Sequence, residues 1–387
     1  MRRTSTVVAL GLAQTLAWAS TYYLPAMLAA PMARDLGVPV PAVFAAFSAA
    51  LVVSAVLGPL AGHAIDRFGG RPVLMATNLV FALGLMCLGS ASGPTSLLAA
   101  WIVLGIGMGS GLYEAAFAAL VRLWGHDARG AITGVTLFAG FASTVGWPLS
   151  TYLEVHHGWR VACFAWAVLH LGIGLPLNAL LPRVDWNAAP TSSPGAEASQ
   201  AAEGPRPGLR ASLVLAWVFA TTWFISTAMA AHLPRVLRAG GASLETAVLV
   251  GALIGPAQVG ARLLEFGFLR RLHPLLAARL AAALHPLGVL GLGVAGMPAA
   301  ALFGLLHGAG NGILTIAKGT LPLVVFGAQG YGHRQGVLMV PARVAQALAP
   351  WAFGLAIDRW GAGALGLTAG LGVLALVSLF LLPTKRS

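Results

Sequence analysis

At 387 residues, 58% hydrophobic and 9% charged, the chain carries far less charge than the roughly 25% of a soluble domain, so most of its surface is not made for water. Twelve spans of roughly 20 apolar residues would take about 240 residues and leave some 150 for loops and tails. The net charge of +12 is not gathered into a basic patch or an arginine-rich helix, which excludes a nucleic-acid partner.

Met1-Arg2-Arg3 opens onto an apolar run over 7–30. That run exceeds the roughly 7 to 15 residues of a signal core and further spans follow it, so it reads as a first span rather than a cleaved leader. Apolar runs punctuated by Pro, Gly and charge predict spans near 7–30, 42–62, 72–91, 96–123, 130–152 and 160–181. A second set is predicted near 211–233, 243–265, 273–296, 298–327, 335–357 and 362–382. Between the sets, residues 183–210 are rich in Pro, Ser, Ala, Gly and Glu without apolar periodicity. This stretch reads as a disordered cytoplasmic linker between six-helix bundles at 1–182 and 211–387.

With the N-terminus in the cytoplasm, most bases fall inside, among them Arg2, Arg3, Arg67, Arg71, Arg122, Arg129, Arg183, Arg262, Arg270, Arg271, Arg334, Lys385 and Arg386. Arg34, Arg160, Arg235, Arg238 and Arg359 fall outside, and Arg279, Lys318 and Arg343 fall within spans. This bias predicts that both termini are cytoplasmic; the chain is expected as a multi-pass monomer in the lipid bilayer of the cell inner membrane.

Internal repeats support the two-bundle division. Gly107-Met108-Gly109-Ser110-Gly111 in the fourth span is matched by Gly308-Ala309-Gly310-Asn311-Gly312 in the tenth, and Gly58-Pro59 in the second by Gly255-Pro256 in the eighth. A finer repeat, Ala64-Ile65-Asp66-Arg67-Phe68-Gly69 against Ala356-Ile357-Asp358-Arg359-Trp360-Gly361, would lie on opposite membrane faces, as inverted three-helix repeats produce. The Gly-x-Gly-x-Gly segments follow no strand, so they read as close helix packing or bending points rather than a nucleotide loop.

The stretch Gly62-His63-Ala64-Ile65-Asp66-Arg67-Phe68-Gly69-Gly70-Arg71 resembles the G-x-x-x-D-R-x-G-x-R loop pattern of the major facilitator superfamily. Gly158-Trp159-Arg160 is similar to another recurrent element of that family. The resemblance implies an all-α membrane protein of twelve transmembrane helices in two pseudo-symmetric six-helix bundles, a small bacterial member of the family. It also implies a cytoplasmic gating latch formed by Gly62, Asp66, Arg67, Gly69 and Arg71. The glycines are expected to let the chain turn, Asp66, Arg67 and Arg71 to make ion pairs, and the aspartate to face the start of the eleventh helix near Gln335. There an anion is favoured by roughly 0.3 to 2 kcal/mol. Two other family patterns are degenerate here. The arginine of R-x-x-Q-G in the fourth helix is replaced by Trp101, and the fifth-helix antiporter pattern survives only as Gly134, Gly140, Gly146 and Pro148. The stretch from Asn311 to Lys318 with Gly319, and Pro341, Gln346 and Pro350, resembles small members assigned to arsenite efflux.

Glu114 is the one carboxylate placed well inside a span and Lys318 the one lysine, and a buried charge in a membrane is a functional candidate by default. The resemblance implies that helices 1, 4, 7 and 10 line a central cavity, so Glu114 and Lys318 are expected to meet across it, with protonation or substrate releasing the pair. The alternative for Glu114 is a local pair with Arg122. Arg343 could attract an anionic substrate or serve as a structural ion. Gln14, Trp18 and Tyr22 share one helical face, as do Asn311, Thr315 and Lys318, and both stripes are candidate cavity lining; an interfacial aromatic belt is the rival for Trp18 and Tyr22.

Cys87 and Cys163 read as small buried hydrophobes, and the ten histidines are scattered without metal spacing, so neither metal nor cofactor is expected. No phosphate loop marks a pump, no filter repeat a channel, and no polar cluster an enzyme. The expectation is a secondary carrier of a small molecule working by alternating access, exporting it with protons as coupling ion; organic-anion uptake or exchange, and arsenite or antimonite efflux, are the alternatives.

Overall fold

The computed structural model describes residues 3–183, 208–268 and 273–382; the predicted linker lies outside the described residues except at its ends. All regular structure among them is helical. The chain forms two compact units, one of Met1–Leu209 with Val325–Val337, the other of Arg210–Val324 with Leu338–Ser387.

The first unit is built from α1 (Arg3–Ser20), α2 (Leu24–Asp35), α3 (Val40–Phe68), α4 (Gly70–Gly89), α5 (Pro94–Gly111), α6 (Tyr113–Trp124), α7 (Ala128–Ala139), α8 (Ala142–His157), α9 (Trp159–Leu169) and α10 (Leu175–Ala179). The second is built from α11 (Leu209–Ala239), α12 (Leu244–Gly267), α13 (Pro274–Ala295), most of α14 (Ala300–Phe326), the body of α15 (Tyr331–Trp360) and α16 (Ala364–Leu379).

Among the described residues, nine helical stretches are long and apolar enough to cross a membrane. Two of them, 64 and 49 residues long, each contain two predicted spans, since one crossing needs roughly 20 residues. The nine stretches thus hold eleven of the twelve predicted spans, and the interrupted first is not among them. Outward faces carry apolar stripes at helical spacing, such as Val52, Val56 and Leu60 on α3, and Leu287, Leu290 and Val294 on α13. In water such stripes would be a liability; against lipid they are the natural surface. Phe81, Trp101 and Phe117 fill the interior of the first unit, and Phe219, Phe303 and Phe353 that of the second.

Several predicted spans are interrupted. The first breaks at Thr21–Tyr23 because Pro25 begins α2 and lacks an N–H. The fourth breaks at Leu112, which is extended (φ −84°, ψ −164°) just after the glycine triplet, where helix propensity is low. Cys163 is buried as expected, but Cys87 is exposed on α4.

The glycine repeats are packing devices. A Cβ on Gly105 or Gly109 would come within 2.6 Å of the Ala50 carbonyl oxygen or 2.9 Å of that of Ser54, both on α3. In the second unit, Gly308 and Gly312 stand equally close to the Ile254 and Gln258 carbonyls of α12, at 2.7 and 2.6 Å. Glycines four apart thus bring one backbone onto another in both units.

Candidate functional site

The Gly62–Arg71 motif does not form a loop. Its residues through Phe68 belong to α3, and only Gly69, at φ 84°, turns the chain. Gly62 has another role, since a Cβ there would fall on the Gly332 carbonyl and 2.8 Å from the His333 nitrogen. Gly336 likewise stands where a Cβ would lie 2.6 Å from the Gly58 oxygen. Gly58 and Gly62 on α3 therefore cross Gly332 and Gly336 on α15, two G-x-x-x-G segments face to face. The second segment could have been read from the sequence.

This approach delivers the first turn of α15 to Asp66. Its Oδ1 accepts the Gly332 N–H and its Oδ2 the His333 N–H, both at 2.9 Å. These are amides of a helix start, where N–H groups lack helical partners and an anion is favoured. Asp66 thus binds backbone amides rather than an arginine, and among the described residues neither Arg67 nor Arg71 makes an ion pair. Arg122 donates through Nε to the Asp66 carbonyl at 3.2 Å. A cavity of about 570 Å³ opens beside the contact, lined by His63, Asp66, Arg67, Gly330, His333, Arg334 and Val337.

Glu114 occupies the first turn of α6, directly after the break at Leu112. The break therefore places a helix N-terminus inside the span, which favours the carboxylate. Glu114 and Asp66 both act electrostatically on the buried Tyr331 phenol, at the start of α15. The Arg122 guanidinium is turned to Asp66 instead. Gln14 bridges the same break, donating from Nε2 to the Gly111 carbonyl at 2.7 Å. Trp18 is 3% exposed and lies 4.7 Å from the Tyr113 ring, so it is interior rather than a belt residue. Tyr22 falls in the turn after α1, not on its helical face, although its ring still meets Trp18 at 5.2 Å and Phe47 at 5.7 Å.

In the second unit the predicted cations converge. Lys318 Nζ stands 3.9 Å from the centroid of the Trp223 ring on α11, and Arg343 Cζ 5.7 Å from that ring. Arg343 also donates to Gln346 Oε1 at 2.9 Å. Lys318, Arg343 and Gln346 are at most 4% exposed, and Trp223 is 8% exposed. A desolvated cation over an indole is held by about 2 kcal/mol, which orients both heads. The stripe on α14 divides: Lys318 meets Trp223, Thr315 donates back to the Asn311 carbonyl at 2.8 Å, and Asn311 lines a small cavity higher on the helix.

Trp223 was not legible as a site residue, being one tryptophan in an apolar run. Glu265 is a further correction. It stays at the span end, two residues before α12 finishes at Gly267, but its side chain is 2% exposed, which the sequence did not announce. Arg262, counted among the inside bases, is buried on the same helix and donates to the Gly312 carbonyl at 3.4 Å. Two bases expected outside have acidic partners, Arg160 pairing with Asp35 in the first unit and Arg235 with Asp358 in the second. Pairing explains how they depart from the charge bias.

Residues 10–317 match the sequence profile described as Major Facilitator Superfamily. An uncharacterized 38 kDa protein encoded in the 23S RNA operon of Thermoproteus tenax is 30% identical over 364 residues, which cover 93% of this chain and 91% of that protein. The uncharacterized MFS-type transporter YhcA of Bacillus subtilis is 29% identical over 112 residues, 29% of this chain and 21% of its own. Among solved structures, the human organic anion transporter MFSD10 (TETRAN) is similar with a TM-score of 0.71 at 21% identity, covering 98% of this chain and 99% of that one. The proton:xylose symporter XylE bound to 6-bromo-6-deoxy-D-glucose is similar with a TM-score of 0.78 at 14% identity, covering 98% and 95%. At these identities the likeness to solved structures is one of fold.

Proposed function

The chain belongs to the major facilitator superfamily, and from that premise we propose that it is a secondary carrier of small organic anions, driven by protons. Membership makes it a multi-pass membrane transporter rather than an enzyme. Carrying the anion reading is one observation: Lys318 and Arg343, two buried cations from different helices, converge on Trp223. A carboxylate entering there would meet a point charge and a planar fork of donors, the pairing on which anion recognition is built.

The bundles at 1–182 and 211–387 would move in alternating access. α15 begins in the first unit and continues into the second, so the Asp66 contact on its first turn is the proposed latch, and its release would let them move. Glu114, acting on Tyr331 in that same turn, is the proposed gating carboxylate. We place the protein in the inner membrane as a monomer, with both termini cytoplasmic. Direction is left to the gradients, because Gly134 and Gly146, the fifth-helix glycines that suggested export, are accounted for by packing on α1. A Cβ on either would come within 2.8 Å of Val7 or Ala19. Arsenite efflux is the weaker reading, since soft ions call for thiolates and the chain has 2 cysteines, one exposed and one buried.

Ligand-dependent stabilisation tests the anion reading. A mono- or dicarboxylate at about 100 times its Kd should stabilise the native chain by about 2.7 kcal/mol, seen as a raised Tm. The neutral amide analogue should show no such rise and the Lys318→Gln chain at most about half of it; equal stabilisation by the amide would remove the proposal.

A further inference from the structure

The buried histidines divide into two kinds. His170, in the first unit, has both ring nitrogens occupied, Nδ1 by Asn78 Oδ1 at 2.9 Å and Nε2 by Ser20 Oγ at 2.7 Å. It is a satisfied interior residue. In the second unit, His285 on α13 and His307 on α14 meet through their Nδ1 atoms at 3.0 Å, and His285 Nε2 meets Thr368 Oγ1 of α16 at 3.0 Å. Both rings are buried, at 7% and 4% exposure, and His285 lies mid-helix.

The bond directions follow from the last link. Thr368 Oγ1 donates its proton to the Leu365 carbonyl at 2.9 Å, so it accepts from His285 Nε2–H. A neutral His285 then has a bare Nδ1, which accepts from His307 Nδ1–H. The chain of donors ends at His307 Nε2, which must carry a lone pair. His307 lines a cavity of about 20 Å³, room for one water, together with Thr222, Ser226 and Asn311. Those side chains offer oxygen acceptors to a protonated ring.

We propose that the His285–His307 pair is the proton-binding site of this carrier, taking one proton at His307 Nε2 from one aqueous phase and returning it to the other. The proposal rests on reading the chain as a secondary carrier. Binding breaks no bond: the proton adds to the lone pair, and the positive charge is held by the His285 acceptor behind it and the Thr222, Ser226 and Asn311 oxygens in an otherwise apolar cavity in front. Among the described residues, α16 contains no titratable group, α11 presents Thr222, Ile225 and Ser226, and α12, packed on α14 at Gly308 and Gly312, brings Arg262, bonded to the Gly312 carbonyl. The nearest bases along α13 and α14 are Arg279, bonded to the Leu379 carbonyl, and Lys318.

Lys318 follows His307 by about 16 Å along α14. A unit positive charge at that range, at an effective dielectric of about 20, favours an anion at the Lys318 cluster by about five-fold. Proton and anion would therefore bind cooperatively and travel in the same direction.

The test is His307→Gln in proteoliposomes, with anion counterflow and accumulation driven by a pH gradient measured on one preparation. The expected result is counterflow within about two-fold of native and at least about ten-fold loss of gradient-driven accumulation. Retained accumulation overturns the proton site. Absence of counterflow in the native chain overturns the carrier reading instead, so the two failures are distinct. If the variant does not purify as a monodisperse protein, native protein in weakly buffered detergent with a pH dye decides. Proton uptake on adding a saturating carboxylate supports the site, and no uptake overturns it.

Discussion

Gly62→Ala puts the helical reading of the motif to a sharp test. In a loop, alanine at this position would be tolerated or mildly stabilising. In α3 its Cβ would overlap the Gly332 carbonyl and lie 2.8 Å from the His333 nitrogen. Backbone cannot rotate away, so α3 and the start of α15 must separate by about 1 Å, stretching the two 2.9 Å bonds to Asp66 beyond hydrogen-bonding range. Each bond to a charged group contributes about 1.5 to 3 kcal/mol. A loss of about 3 kcal/mol corresponds to roughly a hundred-fold in the open-to-closed ratio. Hydrogen exchange reads this directly, because the Gly332 and His333 amides lie in the first turn of α15 and take Asp66 as acceptor. The peptide covering 331–337 should exchange roughly a hundred-fold faster in Gly62→Ala and in Asp66→Asn, with other core peptides unchanged. Native protection in Gly62→Ala would refute the close crossing.

Other perturbations separate binding from gating. Lys318→Gln and Arg343→Gln should each weaken carboxylate binding by about ten-fold or more, the value of one charged hydrogen bond, as read by equilibrium binding. Glu114→Gln and Tyr331→Phe should leave that affinity unchanged and alter counterflow turnover; full native turnover in Glu114→Gln would remove its gating role. Gln14→Leu leaves the buried Gly111 carbonyl without its amide donor and should lower unfolding stability by about 1 to 3 kcal/mol, measured by thermal or chemical denaturation.

What the sequence disclosed follows from what apolar periodicity and residue type can encode. Uninterrupted runs mark spans, and Asp66 within G-x-x-x-D-R marks a family because an acid beside arginines at a membrane edge has few other uses. The break at Leu112 was hidden, since no proline announces it and the glycines before it serve packing equally well. Gly62 was read as a turn because glycine meets two needs, positive φ and close approach, and only Gly69 has the former. Telling them apart requires the partner segment Gly332–Gly336, some 270 residues along. Lys318 and Arg343 could be flagged by the cost of burying charge, whereas Trp223 acquires a role only once both are brought to its ring. The histidine pair, 22 residues apart on different helices, has no spacing signature at all.

Counterflow by the purified chain in proteoliposomes, with labelled organic anions, cations and neutral sugars compared side by side, bears most directly on the proposed carrier. The expected result is saturable counterflow of anions, competed by other carboxylates and reduced in Lys318→Gln. Flux that rises without saturation, or saturable counterflow of cations or sugars with none of anions, would contradict it.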